Sequence, residues 1–338
     1  MKTWQRSSTR RLSEHNILLL LALAALLTAF FSLCLGAEKL SMAQALGDIL
    51  TGQRTTPASI VLYFRLPRTC AALLAGAALA VSGVVVQGVL SNSLAAPSTI
   101  GVNAGAGLAV ALFCAIVPTA VNVIPFAALA GAFGGVMLVL LIAEHTSASK
   151  ITLVLAGVAV SGIFSAAIDA VITFVPEALN GYSDFRIGGF NGVSMDQLSP
   201  AVWIILLGLL AVLSLHNELD ILMLGTEQAQ SLGLPARRLR TLFLVLAAAL
   251  AGSAVSFSGL IGFVGLIVPH MMRQLLGEES RYLVLGATLG GAALLCGCDL
   301  LARVIFSPFE LPVGIVMSLV GGPFFLWLLR KRGGYGHD

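Results

Sequence analysis

Long apolar runs separated by short polar stretches set the pattern of this chain. Ten runs stand out, at roughly 17–36, 69–90, 98–118, 121–143, 151–175, 200–215, 241–258, 260–276, 283–298 and 312–329. A helix needs about 20 apolar residues to cross a bilayer. Five runs meet that length outright, while the third is rich in glycine, the sixth is short and the last four are 16 to 18 residues long. Hydropathy alone therefore admits eight to ten spans of an all-α polytopic membrane protein.

The placement of Lys and Arg decides the count. With the N-terminus in the cytoplasm and ten crossings, the inner segments hold Lys2, Arg6, Arg10, Arg11, Lys150, Arg237, Arg238, Arg240, Arg273, Arg281, Arg330, Lys331 and Arg332. The outer segments hold Lys39, Arg54, Arg65, Arg68, Arg186 and Arg303, so the majority is inside, as the positive-inside rule requires. Nine spans would put the Arg330-Lys331-Arg332 cluster outside. The expectation is thus about ten transmembrane helices with both termini cytoplasmic. A tail at 1–16 precedes a membrane domain at 17–329, and a second tail follows at 330–338. The basic N-terminus followed by an apolar run resembles a signal peptide, but the run is long and many others follow, which predicts an uncleaved first span.

Three connections are long enough to fold. The outer stretch 37–67 suits a short helix ending near Pro67, and 176–199 mixes Gly, Asn and Asp with aromatics, as a segment lying on the membrane face would. The inner stretch 216–240 predicts two short helices within 221–240, broken at Gly225 and Gly233, with Pro235 opening the next span. Leu232 and Leu234 fall there on a water-facing loop, the mark of a partner surface.

Composition excludes much. Hydrophobic residues make up 58% of the 338, and 19 basic and 16 acidic residues give a charged fraction of only 10%. An ordinary soluble domain carries about 25%, so a globular enzyme and a nucleic-acid binder are both ruled out. None of the four lysines follows a glycine, so the chain has no phosphate-binding loop of its own. The five histidines are scattered, and the five cysteines show no zinc spacing. The Cys296-x-Cys298 pair reads as packing rather than metal binding. Asp169 falls toward the outer end of the fifth run, where a carboxylate either serves an ion pathway or hydrogen-bonds at the interface. Asp299 stands four residues before Arg303, a helical spacing that suits a surface ion pair. Gly101/Gly105, Gly131/Gly135 and Gly286/Gly290 each place two small residues on one helix face for close packing. Pro269 predicts a kink in the eighth run.

Five stretches taken together carry a family resemblance: RLPRTCAALLAGAALAVSGVVVQGVLSNSLAAPSTIGVNAGAG (65–107), LGTEQAQSLGLP (224–235), GLIGFVGLIVPHMMR (259–273), DLLAR (299–303) and ELPVGIVMSLVGGPFFLWLL (310–329). The chain resembles the permease subunits of bacterial ABC importers for iron chelates, haem and cobalamin, from about residue 15 to 332. The resemblance implies a bacterial inner-membrane protein that pairs with a second permease subunit, identical or a close paralogue. It also implies two ATP-binding-cassette ATPase subunits, which carry ATP and Mg, and an extracytoplasmic substrate-binding protein. No cofactor or metal is implied on this chain, nor any catalytic residue. The ATPase contact would be Leu224, Gly225, Ala229, Leu232, Gly233, Leu234 and Pro235. Arg65, Arg68 and Arg303 would form an exposed basic patch for the binding protein. An inner gate would fall at Ser147, Ala148 and Ser149, with Gly157, Ser161 and Ser165 or Gly314 and Ser318 near the pathway. Ser93 and Ala96 depart from the residues usual in the family. An iron(III)-siderophore is the expected cargo, with haem or cobalamin as alternatives. An ion-coupled secondary transporter and an intramembrane enzyme are the competing classes.

Overall fold

The computed structural model describes residues 13–333, apart from 37, 39, 54, 119–122 and 147–148. It is helical throughout, with no strand among the described residues. Each of the ten apolar runs contains a helix. These are α1 (Glu14–Cys34), α4 (Leu66–Leu90), α5 (Val102–Ile116), α6 (Ile124–Thr146), α7 (Lys150–Phe174), α9 (Met195–Ser214), α12 (Ala236–Ser258), α13 (Val264–Leu276), α14 (Ser280–Val304) and α15 (Val313–Gly333). Shorter helices fill the connections: α2 (Met42–Leu50), α3 (Thr56–Ile60), α8 (Ala178–Ile187), α10 (His216–Leu224) and α11 (Thr226–Ser231). Seven helical stretches among the described residues are long and apolar enough to cross a membrane. α5 and the apolar part of α15, Val313–Leu328, are shorter, and α13 has only 13 residues.

The bundle is built around α4, which is buried on nearly all sides and packs against α12, α13 and α14. Small residues make this possible. A Cβ on Gly76 would lie 2.2 Å from the Gly291 carbonyl of α14, and one on Gly83 would lie 2.0 Å from the Gly265 carbonyl of α13. Helix backbones approach this closely only where side chains are absent. The expected glycine pairs follow the same logic in part. Gly105 meets the Gly131 carbonyl and Gly135 meets the Gly101 carbonyl, so two of the motifs face each other across α5 and α6. Gly286 and Gly290 instead receive the side chains of Met272 and Leu276.

One reading of the sequence requires correction, and one proline falls where it was expected. Pro67 does not end a helix, because the chain is helical without a break from Thr56 to Leu90. The turn Val61–Arg65 is a π-helix, and the Leu66 amide reaches back five residues to the Val61 carbonyl. That widened turn accommodates the proline, which cannot donate a hydrogen bond and would clash with the carbonyl of a regular preceding turn. Pro269 lies inside α13 as expected, and the carbonyl it leaves free, that of Gly265, accepts a 3.1 Å hydrogen bond from Gln87 Nε2 of α4. Gln87 Oε1 in turn accepts from Arg273 Nη1, one turn beyond the proline.

Candidate functional site

At the end of the bundle where α4 begins, four charged side chains are gathered. Arg68, in the first turn of α4, grips Asp299 of α14 through Nε at 3.1 Å to both carboxylate oxygens and through Nη2 at 3.0 Å. Its Nη1 donates to Glu310 Oε2 at 2.5 Å. Arg303 Nε sits 3.1 Å from Asp299 Oδ2, and its Nη2 donates to Ser32 Oγ of α1 at 2.6 Å. Ser32 Oγ shares a further hydrogen bond with Thr69 Oγ1 at 2.7 Å. Two cations and two carboxylates balance, and the planar guanidinium forks suit this bidentate geometry. Arg65 works differently. It donates to the carbonyls of Leu33 and Cys34 at 2.9 and 2.7 Å and to that of Glu38 at 2.6 Å. A cation on the last carbonyls of α1 satisfies groups the helix cannot pair and complements its dipole.

These contacts correct the exposed basic patch. Arg65, Arg68 and Arg303 are only 4%, 8% and 2% exposed, and Asp299 is fully buried. The Asp299–Arg303 pair therefore has the expected helical spacing but is not a surface pair. The three arginines instead form the floor of a cavity of about 540 Å3, walled by Tyr63, Phe64 and Phe190 with Glu310 at its side.

The opposite end of α4 carries α10 and α11. Gly225, at φ 126° and ψ 162°, separates them, and Gly233, at φ 82°, ends the second. Both lie in backbone regions that favour glycine. One side of this strap is anchored. Leu219, Leu222 and Ala229 are buried, and Asp220 Oδ1 accepts from the Ser280 amide at 2.9 Å, capping α14. Arg240 Nη2 of α12 donates to Thr226 Oγ1 at 2.7 Å. On the other side Leu224 and Leu232 are 64% and 62% exposed, while Leu234 is half-buried and Pro235 exposed. The sequence reading of two short helices around Gly225 and Gly233 is matched in place.

The remaining candidates scatter. Ser147 and Ala148 lie outside the described residues. Ser149 caps α7, accepting from the Thr152 amide at 3.0 Å. Ser165 is exposed and Ser161 half-buried on α7, and Ser318 is exposed on α15 with its hydroxyl bonded to the Gly314 carbonyl at 2.8 Å. Gly157 on α7 and Gly314 on α15 are both buried. A Cβ on either would lie 1.9 Å from a neighbouring carbonyl, that of Thr99 or Ile187, so both are packing glycines facing backbone. Asp169 is exposed on α7. Tyr182 of α8 is buried, which pushes its phenol above the usual range; Arg186 opposes that rise and Asp169 adds to it. Cys296 and Cys298 are buried free thiols, and no group of metal-ligating side chains occurs among the described residues.

Comparison with known proteins decides the identity. Residues 22–331 match the FecCD transport family. The chain belongs to that family. It is 36% identical to the Fe(3+)-citrate import system permease protein YfmE of Bacillus subtilis over 325 residues, covering 95% of this chain and 97% of that one. It is 38% identical to the hemin transport system permease protein HmuU of Yersinia pestis over 283 residues, covering 81% and 84% of the two chains. Among solved structures, an inward-facing metal-chelate type ABC transporter superposes with a TM-score of 0.84 at 32% identity, over 94% of this chain and 99% of that one. This FecCD-family chain is a multi-pass permease of the bacterial inner membrane, a transport subunit and not an enzyme.

Sequence reasoning missed Gln87, Arg240, Glu310 and Ser32 as structural partners. Gln87 left a signal, since it is a lone amide in an otherwise small and apolar span, and such residues have partners. Glu310 and Ser32 meet residues far away in sequence, at separations no local pattern encodes, while Arg240 meets Thr226 across the turn that ends the strap.

Proposed function

We propose that this permease forms the translocation pathway of an ABC importer for an iron(III) chelate. Ten spans with both termini cytoplasmic, two such subunits around one pathway, and separate ATPase subunits beneath complete the arrangement. The observation that carries the reading is the strap: two large leucines, Leu224 and Leu232, stand in water on short helices otherwise anchored to the bundle. Burying a leucine is worth about 2 kcal/mol, so a folded partner gains by covering them. In the proposed orientation the strap faces the cytoplasm, where an ATPase carrying ATP and Mg would bind. The permease itself holds no cofactor.

At the outer end, a carboxylate of the substrate-binding protein entering the 540 Å3 cavity would meet Arg65, Arg68 and Arg303 from above. Those guanidiniums already hold in-chain partners, so the incoming group would share them rather than find them free. The cargo follows from the relatives, whose named substrates include ferric citrate and hemin. Ser161, Ser165 and Ser318 offer weakly polar groups that suit a chelate sliding through without tight binding.

The test is uptake into proteoliposomes holding the permease, its ATPase and its binding protein, with labelled ferric citrate, a ferric hydroxamate, hemin and cobalamin compared in parallel. ATP-dependent accumulation of a ferric chelate well above hemin and cobalamin supports the reading. Accumulation driven by an ion gradient without ATP would replace it with a secondary transporter.

A further inference from the structure

Three arginines open α12: Arg237, Arg238 and Arg240. Cations in the first turns of a helix oppose its dipole, so helix stability does not account for them, and the positive-inside rule accounts only for their being on the cytoplasmic side. Arg237 and Arg238 are exposed, as that rule alone would leave them. Arg240 is half-buried and turned inward. It donates to Thr226 Oγ1, in the first turn of α11, at 2.7 Å. It also lines, with Leu140, Glu144, Leu153 and its neighbour Arg237, a narrow cleft where α6, α7 and α12 meet. Its charge bears on Lys150, the first residue of α7. Lys150 Nζ in turn donates at 2.5 Å to Ser91 Oγ, which caps α4 in the left-handed region at φ 48°. One side chain therefore bonds the strap and lines the cleft between the adjoining ends of α6 and α7.

We propose that Arg240 is the positioning residue through which displacement of α11 reaches the cytoplasmic ends of α6 and α7, with Thr226 as its contact on the strap. The inference rests on reading α10 and α11 as the ATPase contact. A guanidinium is suited to this role because its rigid planar fork holds several directed hydrogen bonds at once, whereas an ammonium on a flexible stem transmits position less well. Spatial intermediacy alone is a weak warrant for coupling. Here a directed hydrogen bond joins the strap to the bundle, and it can be removed without touching the exposed leucines.

The experiment uses the full permease reconstituted with its ATPase and binding protein. It measures three quantities: ATPase retained on purification, ATP hydrolysed, and ferric citrate transported per ATP. Arg240→Met is expected to retain the ATPase at wild-type stoichiometry and hydrolyse ATP within about twofold of wild type, yet transport at least tenfold less per ATP. Arg240→Lys should lie between the two. Thr226→Val should lose about threefold in transport per ATP, and Thr226→Val combined with Arg240→Met should be no worse than Arg240→Met alone, since both remove one contact. Arg238→Met, exposed and outside the cleft, is the control and should match wild type. An unchanged transport-to-ATP ratio in Arg240→Met, with normal thermal unfolding in detergent, overturns the proposal. A wild-type permease that retains no ATPase overturns the reading of the strap, and the proposal with it.

Discussion

The two ends of α4 solve opposite problems. At its beginning, charged groups are withdrawn from water: Asp299 is fully buried, and Arg68 and Arg303 close on it from two helices. At its end, the large apolar side chains Leu224 and Leu232 are left exposed at α10 and α11. Burying a charge is tolerable only when every partner is supplied, and the Arg68–Asp299–Arg303–Glu310 cluster supplies them within the chain. Through Ser32 it also fastens α1, which otherwise buries little of its surface, and Arg65 separately holds the last carbonyls of that helix. The strap lacks that self-sufficiency. It is tied to the bundle by Asp220, Thr226 and three buried apolar side chains, and its other face is exposed, the face we propose the ATPase covers. One end is therefore satisfied within the chain, and the other is the end we propose assembly completes.

The comparison breaks most readily at Asp299. Its replacement by Ala leaves two buried guanidiniums without their shared carboxylate, and removing one member of a buried ion pair costs about 3–5 kcal/mol. Thermal unfolding in detergent should fall accordingly, and Asp299→Ala that unfolds as the wild type does would show the cluster to be dispensable. Charge reversal of Arg65 and Arg68 is a poor test of docking for the same reason, since it would set carboxylates against Asp299 and against the α1 carbonyls. Gln87→Leu is the next largest effect. It orphans the Gly265 carbonyl freed by Pro269 and removes the Arg273 contact, at about 1–3 kcal/mol for a buried unsatisfied group. Unfolding of this variant isolates the α4–α13 contribution from the charge cluster. Glu310→Gln keeps the buried Arg68–Asp299 grip and alters only the half-exposed member, so stability should change by about 1 kcal/mol or less. Binding-protein affinity, read by surface plasmon resonance on nanodisc-embedded transporter, is where that variant should show itself. An unchanged affinity would remove Glu310 from the docking surface.

The sequence carried the helical plan because each apolar run is its own signal: all ten runs contain a helix, and the strap's breaks at Gly225 and Gly233 fall where glycine is required by backbone geometry. What failed were statements about surroundings. The outer arginines looked exposed because their partners, Asp299, Glu310 and the C-terminal carbonyls of α1, are distant in sequence or are backbone atoms that carry no residue signature. Pro67 looked like a terminator because a π-turn absorbs it without leaving a mark in the residue types.

The account rests on the strap being unfinished, and Leu232→Asp tests that most directly. The permease, tagged and extracted in mild detergent, is compared with this variant for the ATPase it retains and for its thermal unfolding. Leu232 lies on the surface, where substitutions change stability by about 0.5 kcal/mol or less, so the variant should unfold as the wild type does while losing the ATPase almost completely. Retention of the ATPase at the wild-type level would contradict the account and leave the exposed leucines without a partner.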